Sequence, residues 1–409
     1  MRTVAYISTA YPPSVGGAQF LCHRLLRELA PHQRQWVVTQ WDSQRSDWLL
    51  GSTLLSPWRP ADYSIDGIEV RRLRFSALDR LRMLPAVPPF YFAPAACSPR
   101  LTRVFQSRLA RLLDGAEMIH GFRIGRENLL MAALAEARRR GIPFVLTPTH
   151  HPRWVGRRYR VYHYLYRQAD RLICLSEAER EQLVALGADA RRTRVIGAGP
   201  ILSERFDAAA FRRRHGLDGC PVALFVGQKY AYKGLDLLLA AAPSVWRKEP
   251  EARFVFIGPR TSYSKRLFAR TRDPRILEIG ALDVEAKTSA IAAANLLVLP
   301  SRQESFGLVF TEAWAMGKPV IGADTPAAAS VISDGEDGLL APPDPERVAE
   351  MIVSILRDDA MARRMGEAGR EKVRRHYSWQ IIGARTREVY DELLGRSSAP
   401  ARSELACAR

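Results

Sequence analysis

Short runs of apolar and β-branched residues alternate along the chain with longer segments in which apolar positions recur every third or fourth residue. Candidate strands lie at 3–8, 36–39, 68–73, 118–120, 144–147, 171–175 and 193–196, several followed by helix-like segments such as 18–30 and 127–140. Strands covered on both faces by crossover helices read this way, so the pattern predicts a parallel α/β protein. After Gly199 the series restarts, at 222–226, 254–257, 276–279, 296–299, 320–321 and 338–340. The expectation is two doubly wound domains in tandem, 1–197 and 198–376, joined where Gly197-Ala198-Gly199-Pro200 supplies backbone freedom. Open α/β sheets bind ligands at the carboxyl ends of their strands, which places a site in the cleft between the domains. Residues 41–115, proline-rich and weakly periodic, read as an insertion without assignable structure. Trp379, Ile382, Val389, Tyr390 and Leu393 fall near helical spacing, predicting a closing helix within 377–396 and a frayed tail at 397–409.

Composition narrows the class. With 409 residues the chain exceeds one ordinary core, and 47% hydrophobic with 25% charged residues excludes disordered and fibrous classes. No apolar run approaches the roughly 20 residues of a spanning helix. Pro12-Pro13 interrupts the first apolar stretch before a signal-peptide core forms, so the N-terminus reads as a buried strand. The five cysteines (Cys22, Cys97, Cys174, Cys220, Cys407) are odd in number and never form a C-x-x-C pair, which fits a reducing cytoplasm.

Of the net charge of +18, residues 1–197 carry +14, from 30 arginines against 16 acids. Such a field attracts nucleic acid, anionic lipid or a phosphorylated substrate. With no RNP-like motif, zinc finger or basic helix repeat, nucleic acid is not expected. Only seven basic residues are lysines, so lysines at motif positions stand out.

The sharpest chemical signal is Pro300-Ser301-Arg302-Gln303-Glu304-Ser305-Phe306-Gly307-Leu308-Val309-Phe310-Thr311-Glu312-Ala313, between a buried strand and a helix. A helix starting near Gly307 presents unpaired N–H groups to an anion such as a diphosphate. Glu304 in the loop and Glu312 on the helix can each accept hydroxyl hydrogens from a sugar. At the front, Gly16-Gly17 lets backbone approach a substrate closely, with N–H groups aimed at phosphate or at the developing charge.

This stretch resembles the Glu-x7-Glu motif of the retaining, nucleotide-sugar-dependent glycosyltransferases of family 4. Four further stretches carry the resemblance: Tyr11-Pro12-Pro13-Ser14-Val15-Gly16-Gly17-Ala18; Phe225-Val226-Gly227-Gln228-Lys229-Tyr230-Ala231-Tyr232-Lys233-Gly234; Asp334-Gly335-Glu336-Asp337-Gly338-Leu339-Leu340; and Tyr377-Ser378-Trp379, opening a last helix. Gln228 stands where the family has Arg, with Lys229 beside it as a substitute cation, and Pro326-Ala327 stands where two glycines are common. The resemblance implies the GT-B architecture, two Rossmann-like domains facing a central cleft with the C-terminal helix crossing back onto the first. It implies that Lys233 grips the donor diphosphate, Glu304 holds the sugar and Glu312 the ribose. Gly16, Gly17, Gln228, Lys229, Ser305, Phe306, Gly307 and Leu308 complete the donor set. The family also places a functional histidine after an N-domain strand; His150 and His151 are adjacent candidates, one expected to face the cleft, and His120 is a third.

The implied reaction moves a glycosyl unit from a nucleotide diphosphate sugar to an acceptor hydroxyl with retention. Asp-x-Asp spacing and His/Cys ligand sets are absent from the sequence, so neither a metal nor a cofactor beyond the co-substrate is expected. Arginines interleaved with aromatic and apolar residues at 71–111 and 153–171 suit an anionic or lipid-linked acceptor at the inner face of the cytoplasmic membrane. The competing readings are a nucleotide-sugar epimerase of the same architecture, a sugar phosphorylase and a non-enzymatic binder of anionic ligands.

Overall fold

The computed structural model describes residues 1–395 except 15, 42–48, 59, 123–127, 155, 157 and 158. The tail expected at 397–409, Cys407 and the first residue of the helix expected at 127–140 lie outside the described residues. One sheet holds β1 (Arg2–Ala10), β2 (Gln33–Trp41), β3 (Tyr63–Ile65), β4 (Ile68–Arg72), β5 (Met118–Phe122), β6 (Phe144–Thr147), β7 (Arg171–Cys174) and β8 (Thr193–Val195), in the order β3-β4-β2-β1-β5-β6-β7-β8. Only the β3–β4 pair is antiparallel. The other sheet holds β9 (Val222–Val226), β10 (Arg253–Ile257), β11 (Ile276–Ile279), β12 (Leu296–Leu299), β13 (Val320–Ala323) and β14 (Gly338–Ala341), all parallel, in the order β11-β10-β9-β12-β13-β14.

The central strands are buried because helices cover both faces. Tyr6 of β1 lies between Val37 of β2 and His120 of β5, and the helix Gly17–Leu29 turns Leu21, Cys22, Leu25, Leu26 and Leu29 inward along one stripe. The segment 41–115 is not an appendage to this layer. It supplies the β3–β4 edge and the helices Ala77–Met83 and Pro94–Leu112, and Leu101, Phe105 and Leu109 join Ile7, Val38 and Ile119 in one buried cluster.

The helix Trp379–Leu393 starts at a Ser378 cap and returns to the first domain, burying Trp379, Ile382, Val389 and Tyr390. Arg2 pairs with Asp391 at 2.9 Å, and the Tyr390 hydroxyl lies 3.1 Å from that of Tyr6. The interdomain segment Gly197–Pro200 packs against the same return: the Tyr377 ring stands over Gly197, the Trp379 ring over Gly199, and Trp379 Nε1 donates to the Pro200 carbonyl at 2.8 Å. Among the described residues no helix is long and apolar enough to cross a membrane.

Candidate active site

Loops leaving the carboxyl ends of β1, β6, β9 and β12 converge on a cavity of about 330 Å³ between the two domains. The second sheet reverses its strand order between β9 and β12, the switch point at which doubly wound sheets open a crevice. Lys233 follows β9, Glu304 follows β12, and both line the cavity. Their side chains form an ion pair, Lys233 Nζ donating to Glu304 Oε1.

The backbone here leaves little room for other residues. Gly234 has φ 76°, and a Cβ on it would stand 2.1 Å from the Pro300 carbonyl oxygen, so the loop carrying Lys233 presses directly on the strand end that carries Glu304. Gly307, at φ 85°, begins the eight-residue helix Leu308–Ala315. Its left-handed turn points that helix N-terminus at the cavity, while Gly17 brings in the N-terminus of the helix Gly17–Leu29 from the opposite domain. Two positive dipole ends and one lysine thus face one space, a setting for a diphosphate. Gly16 is the residue preceding the second of these helices rather than a wall residue.

Ser305, Phe306 and Leu308 also line the cavity. Ser305 joins the domains: its hydroxyl donates to the His150 carbonyl, and its own carbonyl accepts from Ser176 Oγ at 2.9 Å. Gln228, exposed, occupies the wall where a cation stands in the family pattern. Lys229 does not replace it. That side chain is 0% exposed, with Nζ 3.0 Å from Glu278 Oε1 and 2.7 Å from the Ile279 carbonyl, because alternate residues of the loop face opposite ways. Lys233 is therefore the one lysine or arginine among the described residues of this wall.

Glu312 also departs from expectation. It is 4% exposed, off the cavity wall, and held by Lys287 at 2.6 Å. Burial raises its carboxyl above the usual range, opposed by the Lys287 charge. The segment 334–340 is structural too: Asp337 is buried and ion-paired with Lys372, and its carbonyl accepts from Trp314 Nε1 at 2.8 Å.

The histidines separate cleanly. His151 lines the cavity. His150 is buried, its backbone N–H donating to Glu179 and its Nδ1 lying 3.1 Å from the Tyr166 hydroxyl. His120 is buried beneath the closing helix, between Thr147 Oγ1 at 2.9 Å and the Tyr390 hydroxyl at 2.5 Å; burial brings its pKa down to about 3.

Two polar residues of the wall lay outside the expected set. Thr149 adopts φ 43°, unusual for a residue with a Cβ and without a sequence signal. Tyr232, next to Lys233, lies under that ammonium, 5.5 Å from its ring centroid. Burial, with the Glu304 charge adding to it, pushes the Tyr232 hydroxyl up to about 12. Its place in a Tyr-Ala-Tyr-Lys run was the available clue.

A pair of Rossmann-like domains enclosing a switch-point pocket, tied by a returning C-terminal helix, defines the GT-B class. Solved structures share the whole arrangement: HepE of Anabaena, determined with UDP and glucose, superposes with a TM-score of 0.74 at 18% identity over 96% of this chain and 100% of that one. Sucrose-phosphate synthase of Thermosynechococcus elongatus does so with a TM-score of 0.74 at 23% identity, over 97% and 100%. Residues 16–199 match the family described as glycosyl transferase 4-like domain, and residues 207–372 match glycosyl transferases group 1. The chain belongs to the family 4 type of GT-B glycosyltransferases. Among curated relatives, a phosphatidyl-myo-inositol mannosyltransferase of Mycobacterium tuberculosis is 31% identical over 229 residues, 53% of this chain and 58% of the relative. The α-D-kanosaminyltransferase of Streptomyces kanamyceticus is 32% identical over 190 residues, 45% and 49%. The chain thus spans about half the length of the curated relatives it matches.

Proposed function

We propose that the protein transfers a glycosyl unit from a nucleotide diphosphate sugar to an acceptor hydroxyl, with retention and without a metal ion. The observation that carries this is the Lys233–Glu304 pair at the switch point, faced by two helix N-termini. As the bond to the leaving diphosphate breaks, negative charge grows where Lys233 and the N-terminal amides already point, and preorganised donors there lower the barrier. Glu304 accepts hydroxyl hydrogens of the sugar and fixes its face. Attack of the acceptor hydroxyl on the leaving-group side, its proton passing to the diphosphate oxygen as the bond from that oxygen to the anomeric carbon breaks, gives retention. A carboxylate nucleophile would need the second acid close by as in retaining glycosidases, whereas Glu312 is buried on Lys287. No cofactor beyond the co-substrate enters this scheme.

The acceptor reading is an anionic or lipid-linked molecule presented at a membrane surface, with the protein peripheral on its inner face. The mannosyltransferase relative is named for a phosphatidylinositol acceptor, and the surface of this chain supports the parallel. Leu78, Leu81 and Leu84 are exposed one turn apart along the helix Ala77–Met83 and its end, and Phe92 is 93% exposed. Trp58, also exposed, stacks on Arg80 of that helix at 4.0 Å. Arg82, Arg100 and Arg103 line a groove of about 600 Å³ on the adjoining face. Basic side chains beside exposed apolar ones are the make-up of an interfacial anchor. Incubating the protein with a panel of nucleotide sugars and lipid or polysaccharide extracts, and resolving products by mass and anomeric NMR, tests the reading. A product of retained configuration supports it; epimerised donor without transfer overturns it.

A further inference from the structure

A second cavity, about 490 Å³, opens beside the donor pocket and shares His151 and Tyr232 with it. Among the described residues its remaining walls are Arg153, Trp154, Tyr159 and Tyr230. The two domains contribute jointly: His151 to Tyr159 follow β6, and Tyr230 and Tyr232 follow β9. The rings are fixed by one another. Tyr230 and Tyr232 stack with centroids 5.7 Å apart and planes within 13°. His151 meets Tyr232 edge-on at 5.2 Å and lies 5.5 Å from Trp154. The Arg153 guanidinium stands over Tyr232 at 5.4 Å.

We infer that this aromatic-walled cavity is the acceptor subsite and that its occupant is a pyranose ring, so that the acceptor is a glycoside whose terminal sugar is the group extended. The inference rests on the glycosyltransfer reading above. A pyranose has two apolar faces of polarised C–H groups and a rim of hydroxyls. Aromatic faces carry negative charge density that attracts such C–H groups, and few convergent polar groups fix orientation in a largely aromatic pocket. Arg153 and His151 are those groups here. An acyl chain would gain nothing from the arginine, and a bare phosphate nothing from four aromatic walls. Location agrees: an occupant touching Tyr232 and His151 has its hydroxyls beside Glu304 and Lys233, which line the adjoining pocket. Trp154 and Tyr230 line only the second cavity, which separates acceptor from donor contacts.

The test uses the full chain with saturating UDP or GDP. Methyl α-glucopyranoside and methyl α-mannopyranoside are the probes, glycerol the polyol without a ring, and saturation-transfer NMR the readout. At least one glycoside is expected to receive saturation at its ring C–H protons while glycerol does not. Trp154→Ala and Tyr230→Ala are each expected to reduce that signal at least fivefold, and Trp154→Phe and Tyr230→Phe to retain it, with melting temperatures confirming that the variants fold. Thermal shift by UDP-glucose or GDP-mannose should be unchanged in all four. No glycoside signal in the wild type, or equal signals in the alanine variants, overturns the subsite. Selective loss of nucleotide-sugar affinity relative to the nucleotide alone reassigns the cavity to the donor sugar and also overturns it. If no nucleotide sugar shifts the wild type, the glycosyltransfer reading itself fails, a result distinct from losing only the glycoside signal.

Discussion

Lys233 and Glu304 neutralise one another across the switch point of the second sheet, with side chains only 16% and 11% exposed. Each is the other's partner in the free protein, so a donor that engages both exchanges one set of charge contacts for another within the pocket. Removing either partner strands the opposite charge in a poorly solvated place, an effect larger than the loss of an exposed pair. Lys233→Met and Glu304→Gln are each expected to lower activity on the order of 100-fold, corresponding to ~3 kcal/mol of barrier. The double variant should melt at a higher temperature than either single one while remaining inactive. Full activity in Lys233→Met would remove the diphosphate assignment.

Gln228 on the pocket wall leaves Lys233 as its one lysine or arginine among the described residues. Gln228→Arg places a second cation near the diphosphate, and an added charge contact in a solvated setting is worth about 1 kcal/mol. Donor affinity, measured by calorimetry, should rise about fivefold. Unchanged affinity places the diphosphate elsewhere. In the same assays EDTA is expected to leave transfer rates unaltered, and abolition of activity by the chelator contradicts the metal-free mechanism.

The adjacent histidines are expected to fail differently. His151→Ala should reduce transfer at least tenfold with an unchanged melting temperature, since its ring faces the cavity. His150→Ala removes a buried ring bonded to Tyr166 and should lower stability by about 1–3 kcal/mol, read by urea denaturation. Identical activity losses in the two would contradict the orientation described here.

His120 gives the fold an acid-sensitive element. Its buried imidazole stays neutral down to about pH 3, whereas an unfolded chain protonates it near its ordinary value of about 6.5. The unfolded state therefore binds more protons in this window, so the contribution is complete above about 6.5 and is lost as pH falls toward 3. Melting temperature should decline across that range, and His120→Gln should show a shallower decline on top of reduced stability at neutral pH. Parallel curves for the two proteins would exclude this role.

Membrane contact predicts co-sedimentation with vesicles rich in phosphatidylglycerol, weakened by salt. The arginines that matter are Arg82, Arg100 and Arg103 rather than Arg71 and Arg74, which are engaged with Glu69 and Asp62. A triple Arg→Gln change, or Leu81→Ser with Phe92→Ser, should reduce the bound fraction severalfold. Binding equal to that of wild type in both would eliminate this surface.

Most strands were legible because a strand buried on both faces leaves a continuous apolar run, as at Val222–Val226 and Leu296–Leu299. Tyr63–Ile65 left none, being a three-residue edge strand of exposed or half-buried positions. The helix Pro94–Leu112 was obscured by its prolines and arginines, although its inward stripe is regular. Site chemistry was legible by residue type but not by direction. Nothing local shows that Lys229 meets Glu278 from β11, or that Glu312 meets Lys287 from another helix. Both partners arrive through tertiary packing. His150 and His151 likewise part ways through contacts made by Glu179 and Tyr166, distant in sequence.

The chain passes between its domains twice, outward through Gly197–Pro200 and back through Tyr377–Trp379, and the two passages lie against one another. A single tether would allow one domain to swivel about its bond. Two tethers bonded side by side act as a strip hinge: bending along its line stays soft, while twisting must pull the Trp379 ring off Gly199. Any relative motion of the two domains would be guided along one arc, which returns Ser305 to the His150 carbonyl in the same register.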